Sequence, residues 1–449
     1  MSLHRLYHPK AYDPESPIES FWQSTTNYRG DDDPLSGDVS CDVAVIGAGF
    51  TGLSAALALA GTHGRDVRVV DAAWPGWGAS GRNGGFCCMG GAKLSDAGIA
   101  ARYGAGEAER FTRAQLEAVD LVAALLERHG IDADKGSGGE FQLAHRPGRI
   151  RGFEAEAADL GERFGVKADI YDRAALERAG LAGPEFHGGL HTHAGFSVNP
   201  LKYVLGLARA AADAGARIHG RSPVLRLELD DGRHKLDFAD GRITAKTVIV
   251  ATNGYSSENL PPWLGGRLLP VLSNILVTQP LSGAELEAQG WTSGHMAYDT
   301  RKLLHYFRLL PDNRFLFGAR GGTNASPAAK AAMNRKLRRD FERMFPAWAQ
   351  VEHSHFWTGL ACLTYGLVPY VGRIGDHASA WTGLAYHGNG VAMGTWAGRQ
   401  LADLAAGAAA ADALPAVVRG PFGRFPLAPL RKAYLNCAYG LYAVRDEYL

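Results

Sequence analysis

The chain lacks most of the features that would tie it to a large partner. Its 47 lysines and arginines face 46 aspartates and glutamates across 449 residues, a formal net charge of +1. That balance offers no electrostatic footprint for nucleic acid or for an anionic membrane surface, so the expected partner is a small molecule. Cysteine is scarce: Cys41, Cys87, Cys88, Cys362 and Cys437 are an odd number, with no CxxC pair and no His/Cys metal spacing. Neither a disulfide framework nor a zinc centre is expected on this count, and no metal is expected. The first ten residues hold no apolar run of the signal-peptide kind, which makes a cytoplasmic protein the expectation. There is no internal repeat, and a monomer or small homo-oligomer is expected.

What the chain has in quantity is glycine, 57 residues, and the informative ones are clustered. Val43, Val45 and Ile46 form an uncharged β-branched run, as in a parallel strand covered on both faces. Gly47-x-Gly49-x-x-Gly52 follows at once, and Leu53 to Ala60 continue as an apolar helix. The first glycine permits a tight turn, the second lets backbone approach a pyrophosphate, and the third lets helix pack on strand. The helix N-terminus then favours negative charge. Val67 to Val70 is a second strand, and Asp71 ends it where a ribose-binding carboxylate belongs. Residues 43–60 carry no charge, yet three glycines at this spacing, the missing basic flanks and Asp71 argue against a membrane span.

At this length about two domains are expected. Residues 1–40 read as a surface arm pinned by Phe21 and Trp22, with an Asp31-Asp32-Asp33 run inside it. Trp74 to Gly91 is too glycine-rich for regular structure. Helical spacing covers 94–129, 151–164 and 172–179, and 138–144 reads as a short strand. Asn199-Pro200 caps a helix that stops at Gly215. Residues 216–244 alternate like antiparallel strands, and 247–254 reads as the far strand of the nucleotide-binding sheet. Strands return at 268–318, a charged helix covers 327–345, and Trp381 to Gly394 repeats the strand–glycine–helix pattern. Residues 405–413 read as a linker before an aromatic-rich closing segment.

Three segments together resemble the D-amino-acid-oxidase-like family of FAD-dependent oxidoreductases. They are Val43 to Asp71, Gly76-Trp-Gly-Ala-Ser-Gly-Arg-Asn-Gly-Gly85, and Trp357-Thr-Gly with Thr364, Pro369, Gly372-Arg373 and His387-Gly-Asn-Gly390. The likeness is strongest to the branch of γ-glutamylputrescine oxidoreductase and the pipecolate and sarcosine oxidases. It implies an α/β fold: a Rossmann-like FAD-binding domain (41–92, 187–265, 356–408) interleaved with a mixed-sheet α+β substrate domain (93–186, 266–355, 409–449). By that resemblance Gly47, Gly49, Phe50, Thr51 and Gly52 hold the FAD pyrophosphate, with Asp71 and Ala72 at the adenosine ribose. Gly78, Ala79, Ser80, Arg82, Asn83, Gly84 and Gly85 follow the phosphates and flavin ring. Val224 would contact the adenine, Thr252 and Gly254 are further cofactor-binding residues, and Gly388, Asn389, Gly390 and Val391 lie at the pyrimidine edge. Two departures from the family pattern stand out. His387 and Asn389 occupy a loop where relatives often have Ser-Gly-His-Gly, and no lysine lies between Arg267 and Pro280, which leaves oxidase and dehydrogenase both open.

Tyr306 and Arg308 are two apart on a strand and so share a face, where they are candidates for a substrate amine and carboxylate. His387 is the third catalytic candidate, as a proton acceptor or a contact to the flavin edge. The beside-the-point readings are a core tyrosine, a surface arginine and a histidine satisfying a turn. His191 and His193 share a strand face but lack a third ligand of suitable spacing, so a structural role is expected. Adjacent Cys87 and Cys88 make covalent flavin attachment conceivable, with non-covalent FAD expected. Trp291, Trp348 and Trp357 read as core. The implied activity is oxidation of a C–N bond in a small, secondary amine or amino acid, with O2 as acceptor and H2O2 as product. The rivals are a dehydrogenase using another acceptor, a pyridine-nucleotide-dependent flavin enzyme and a non-catalytic flavin-binding subunit. Gly388-x-Gly390-x-x-x-Gly394 offers the pyridine-nucleotide reading no ribose acid.

Overall fold

A computed structural model describes residues 3–28, 30 and 33–448; Asp31 and Asp32 of the acidic run lie outside the described residues. Two sheets organise the chain. The first runs in the order Tyr370–Arg373, Ala380–Leu384, Gly241–Val250, Val39–Ile46, Val67–Val70, Arg217–His219. All its neighbours are parallel except the antiparallel outer pair, and His234–Phe238 and Arg226–Glu228 extend Gly241–Val250 as an antiparallel ribbon. Burial of both faces explains the unbroken apolar runs, because Val45, Ala44, Ile249 and Val69 are wholly inaccessible. The 247–254 run is not at the far side of this sheet; it lies beside the first strand, with Val43 opposite Thr247 and Ile46 opposite Val250. Arg217–His219 also departs from the antiparallel expectation, pairing parallel with Val67–Val70.

The second sheet follows the order His353–Thr364, Leu268–Thr278, Phe315–Arg320, His305–Leu309, Met296–Asp299, Gly138–Leu143, Gly188–Ser197, Phe86–Cys87. Ala168–Asp172 pairs with Gly188–Ser197 as a ninth strand. Strand Gly188–Ser197 and residues 356–364 of strand His353–Thr364, which the resemblance places in the FAD-binding unit, take their hydrogen bonds in this second sheet. Alternation shows that a segment is a strand; it does not say which sheet completes its hydrogen bonds, and His353–Thr364 finds its partner in Leu268–Thr278.

Behind the second sheet Trp291, Phe307, Phe315, Phe317, Phe341, Phe345 and Trp348 make an aromatic core. The charged Pro327–Met344 helix lies over it and turns Leu337, Phe341 and Met344 inward. The 94–129 stretch is two helices, Asp96–Tyr103 and Glu107–Arg128, divided at Gly104 (φ 113°). The closing segment contains a helix, Arg431–Tyr448, that its aromatic content concealed. Among the described residues no helix is long and apolar enough to cross a membrane. All five cysteines are free, four of them buried.

The N-terminal arm does more than lie on the surface. Tyr7 and Tyr12 are buried, and the Tyr7 hydroxyl donates to the Pro270 carbonyl at 2.7 Å. Trp22 is buried as expected, and its indole N–H donates to the Asn83 carbonyl at 2.9 Å. The arm is thus pinned to the glycine-rich 74–91 loop.

Candidate active site

The first strand ends at Ile46, and Gly47 turns the chain at φ 108°, a conformation that a side chain disfavours. Helix Phe50–Gly61 begins three residues later. A Cβ at Gly52 would stand 1.9 Å from the Gly47 carbonyl oxygen, so Gly52 does not line a site; its role is to let helix and strand meet. The helix has Gly49 at its N-cap, which has no side chain to cap it; Ser80 Oγ takes the Phe50 N–H, and the amides that follow are left for another acceptor. The Asp71 carboxylate accepts from the Ala48 N–H at 2.8 Å and the Ala73 N–H at 2.9 Å, which fixes it beside this turn.

These groups open into one cavity of about 470 Å³, walled by both sheets. From the first-sheet side come Gly47, Gly49, Phe50, Thr51, Asp71, Ala72, Val224 and Thr252. The 74–91 loop adds Gly78, Ala79, Ser80, Arg82, Asn83 and Gly84, and the 386–391 turn adds Gly388, Asn389, Gly390 and Val391. Ser80 accepts from the Phe50 N–H at 3.0 Å, tying loop to helix. Arg82 is held by the Trp77 carbonyl at 2.6 Å and by the Trp77 ring at 4.2 Å, yet its Nη2 is buried with no hydrogen-bond partner. The arm contributes Leu3, Arg5, Tyr12 and Pro14 to the same wall.

Gly85 and Gly254, expected at the cofactor, stand behind the wall. Gly85 (φ 76°) braces the loop through hydrogen bonds with Asn83 and Val198, and Gly254 packs on the Leu360 carbonyl. Of the three catalytic candidates only Tyr306 lines the cavity, its hydroxyl 2.8 Å from Ser273 Oγ and its pKa pushed up to about 12 by burial. Arg308 shares its strand face but does not reach the cavity. It is buried, donating to the Gly84 carbonyl at 3.1 Å and the Val198 carbonyl at 2.7 Å, with the Trp22 ring over its guanidinium. Burial lowers its pKa to about 10. His387 is also turned away: its Nε2 lies 3.4 Å from Thr364 Oγ1, and burial lowers it to about 3, so it stays neutral.

Ionisable side chains that sequence reasoning missed also stand in the wall, among them Lys93, Glu140, Tyr298 and Arg320. Arg320 donates to the His387 carbonyl at 2.7 Å. Its charge, followed by burial, lowers Lys93 to about 7. Burial raises Glu140 to about 7, against the opposing hydrogen bond of the Cys88 thiol. These residues come from a loop and three strands with no common spacing, so no motif announces them. The only signal was Arg320 itself, a charge ending an otherwise apolar strand.

A family profile described as FAD dependent oxidoreductase matches residues 42–404. The chain belongs to that family. The oxidoreductase is 32% identical over 432 residues to γ-glutamylputrescine oxidoreductase of Escherichia coli K12, covering 95% of this chain and 98% of that one. Among solved structures it is similar to glycine oxidase from Geobacillus kaustophilus, with a TM-score of 0.68 at 20% identity, over 83% of this chain and 96% of that one. L-proline dehydrogenase from P. horikoshii gives a TM-score of 0.68 at 17% identity, over 84% and 96%. FAD is the cofactor of the family, and the residues here fit it. Uncapped helix amides and the orphaned Arg82 Nη2 suit an anionic diphosphate, and Asp71 stands at the end of the second strand.

Proposed function

We propose that this oxidoreductase oxidises a C–N bond of a small amine or amino acid, a secondary amine foremost, with O2 as acceptor and H2O2 as product. Gly49 and Thr51 would hold the FAD diphosphate through backbone amides, Gly47 would shape the turn with its own N–H on the Val70 carbonyl, Ser80 would stand beside the diphosphate on the Phe50 N–H, and Arg82 would complete the anion contacts. Asp71, Ala72 and Val224 would take the adenosine, and Gly84, Tyr306 and Gly388 to Val391 would surround the flavin ring. Cofactor binding is non-covalent in this reading. The Cys88 thiol lines the cavity but is held well above its usual pKa by burial, a poor state for a nucleophile. FAD supplies a two-electron acceptor for the hydride that leaves the substrate's α-carbon.

The observation that carries the proposal is the cavity, whose one wall joins the glycine-rich turns that fit FAD to the side chains of Lys93, Glu140, Tyr298, Tyr306 and Arg320. The alkylamine of Lys93 in this cavity is lowered to about 7, first by Arg320 and then by burial. A substrate amine placed there meets the same field and sheds its proton to water near neutral pH, so no dedicated base is required. Arg320, rather than Arg308, is the guanidinium positioned for a substrate carboxylate. Tyr298, Tyr306 and Glu140 offer polar contacts that orient the amine. Positive potential from Arg320 also favours the negative charge that O2 gains on reduction. The product imine is hydrolysed by water to a carbonyl compound and an amine. The names of the relatives, γ-glutamylputrescine oxidoreductase and glycine oxidase, point the same way.

Anaerobic titration of the flavin-loaded enzyme with a panel of secondary amines and amino acids tests this. Bleaching of the flavin absorbance by at least one of them is expected, with stoichiometric peroxide when the same compound is turned over in air. Bleaching without peroxide would assign the dehydrogenase reading, and no bleaching by any compound would overturn amine oxidation.

A further inference from the structure

The histidine pair on strand Gly188–Ser197 acquires in three dimensions the ligand that its sequence context withheld. Strand Ala168–Asp172 lies antiparallel beside it, with Asp169 directly opposite His191. His193 is two residues on and shares that face. One ring nitrogen of each histidine and a carboxylate oxygen of Asp169 lie within 4.8 Å of one another.

Two further observations point to a ligand. His191 is only 6% exposed, its ring stacked on Phe141 at 4.2 Å, and its Nε2 has no hydrogen-bond partner. An unsatisfied buried ring nitrogen is costly unless something else uses the imidazole. A third ring, His295, stands edge-on to His191 at 5.0 Å, so imidazoles converge here from two strand regions. None of the four residues lines the flavin cavity. Glu140 and Thr192, which pair across the neighbouring strands, occupy the alternate positions and so face the other way.

We propose that Asp169, His191 and His193 form a binding site for a divalent transition cation of the zinc type, clipping strand Ala168–Asp172 to strand Gly188–Ser197. Two nitrogens and one carboxylate oxygen suit Zn²⁺ with water in the remaining position, whereas Mg²⁺ and Ca²⁺ require oxygen-rich shells. At present the Asp169 oxygen is shared by His193 Nε2 at 2.7 Å and Lys167 Nζ at 3.0 Å. Lys167 is 68% exposed and free to swing out, so it acts as a competitor that an incoming cation displaces.

The flavin-loaded enzyme, freed of metal with a chelator, should be titrated calorimetrically with ZnCl2 and separately with MgCl2. One saturable zinc site and no magnesium uptake are expected, together with a zinc-dependent rise in melting temperature. His193→Ala should weaken zinc binding at least about tenfold and abolish the thermal shift, while Lys167→Ala should tighten binding. Flavin content equal to wild type certifies that each variant is folded; should His193→Ala fail there, Asp169→Asn takes its place with the same expected loss. Absence of saturable zinc uptake, or uptake undiminished in a folded ligand variant, would overturn the site.

Discussion

Glu140 and Lys93 share a cavity wall and are displaced from their ordinary pKa values in opposite directions, both to about 7. For Glu140 the folded pKa lies above the unfolded one. Between about 4.5 and 7 the unfolded chain releases a proton that the folded chain keeps, so this group makes the fold less stable as pH rises. Lys93 works the other way, since the folded chain gives up its proton early, and its contribution improves with pH from about 7 to 10. Glu140→Gln should therefore raise the melting temperature by a few degrees at pH 8 and leave it unchanged at pH 4. Thermal melts at the two pH values check this, and an equal gain at both would place the cause outside the titration. Retaining an acid that weakens the fold at working pH is the pattern of a residue kept for its function.

Arg308 and Arg320 divide the roles that strand alternation alone gave to one of them. Arg308→Ala strips donors from the Gly84 and Val198 carbonyls and should cost about 2–5 kcal/mol with loss of flavin. The preference for acidic over neutral substrates should not move. Arg320→Ala should shift that preference by roughly ten- to a hundredfold, read as the ratio of kcat/KM values for an amino acid and its decarboxylated amine. Period-two spacing reveals the face a side chain takes; it does not reveal whether the chain's end meets a backbone carbonyl or a cavity. His387 was hidden for a related reason. Its ring is buried away from the cavity at a residue with φ 52°, and its carbonyl holds the Arg320 guanidinium that does line the wall.

At the scale of elements, the strand–turn–helix at residues 43–60 was legible because its glycines answer local backbone geometry. Gly52→Ala places a carbon against the Gly47 carbonyl, so protein purified from this variant should carry little or no flavin by its absorbance ratio. The arm's Phe21-Trp22 anchor was legible as an apolar pair in a polar stretch, whereas Tyr7 and Tyr12 were not, being single aromatics without period. Tyr12 meets Tyr255 edge-on at 6.2 Å, and Tyr255 in turn packs on Trp77 at 5.3 Å, the ring that carries Arg82. Removing residues 1–17 deletes Leu3, Arg5, Tyr12 and Pro14 from the cavity wall. With two buried tyrosines lost, each contributing on the order of 1.5–3 kcal/mol, the truncated chain should bind FAD at least about tenfold more weakly, measured by flavin fluorescence on titration. Unchanged affinity would reduce the arm to a surface covering.

At the scale of the molecule, the chain returns to its nucleotide-binding sheet from distant segments, with strands at 39–46, 67–70, 217–219, 241–250 and 380–384. The α/β alternation of those runs could be read in sequence. The sheet membership of Gly188–Ser197 and His353–Thr364 could not, since a strand's apolar pattern is the same in either sheet. The consequence concerns stability. One cavity draws its wall from both sheets, the 74–91 loop and the arm, so a cofactor seated there would touch all four. Ligand that binds only the folded state stabilises it by about 2.7 kcal/mol at a hundredfold excess over Kd. The melting temperature should therefore climb with added FAD, and the rise should be lost in Gly52→Ala, which has no turn to receive the diphosphate. Flavin fluorescence and far-UV circular dichroism should report the same transition, because residues of both sheets build the wall that would hold the cofactor. Flavin escaping well below the loss of secondary structure would mean that the cofactor rests on one sheet, with the second only covering it.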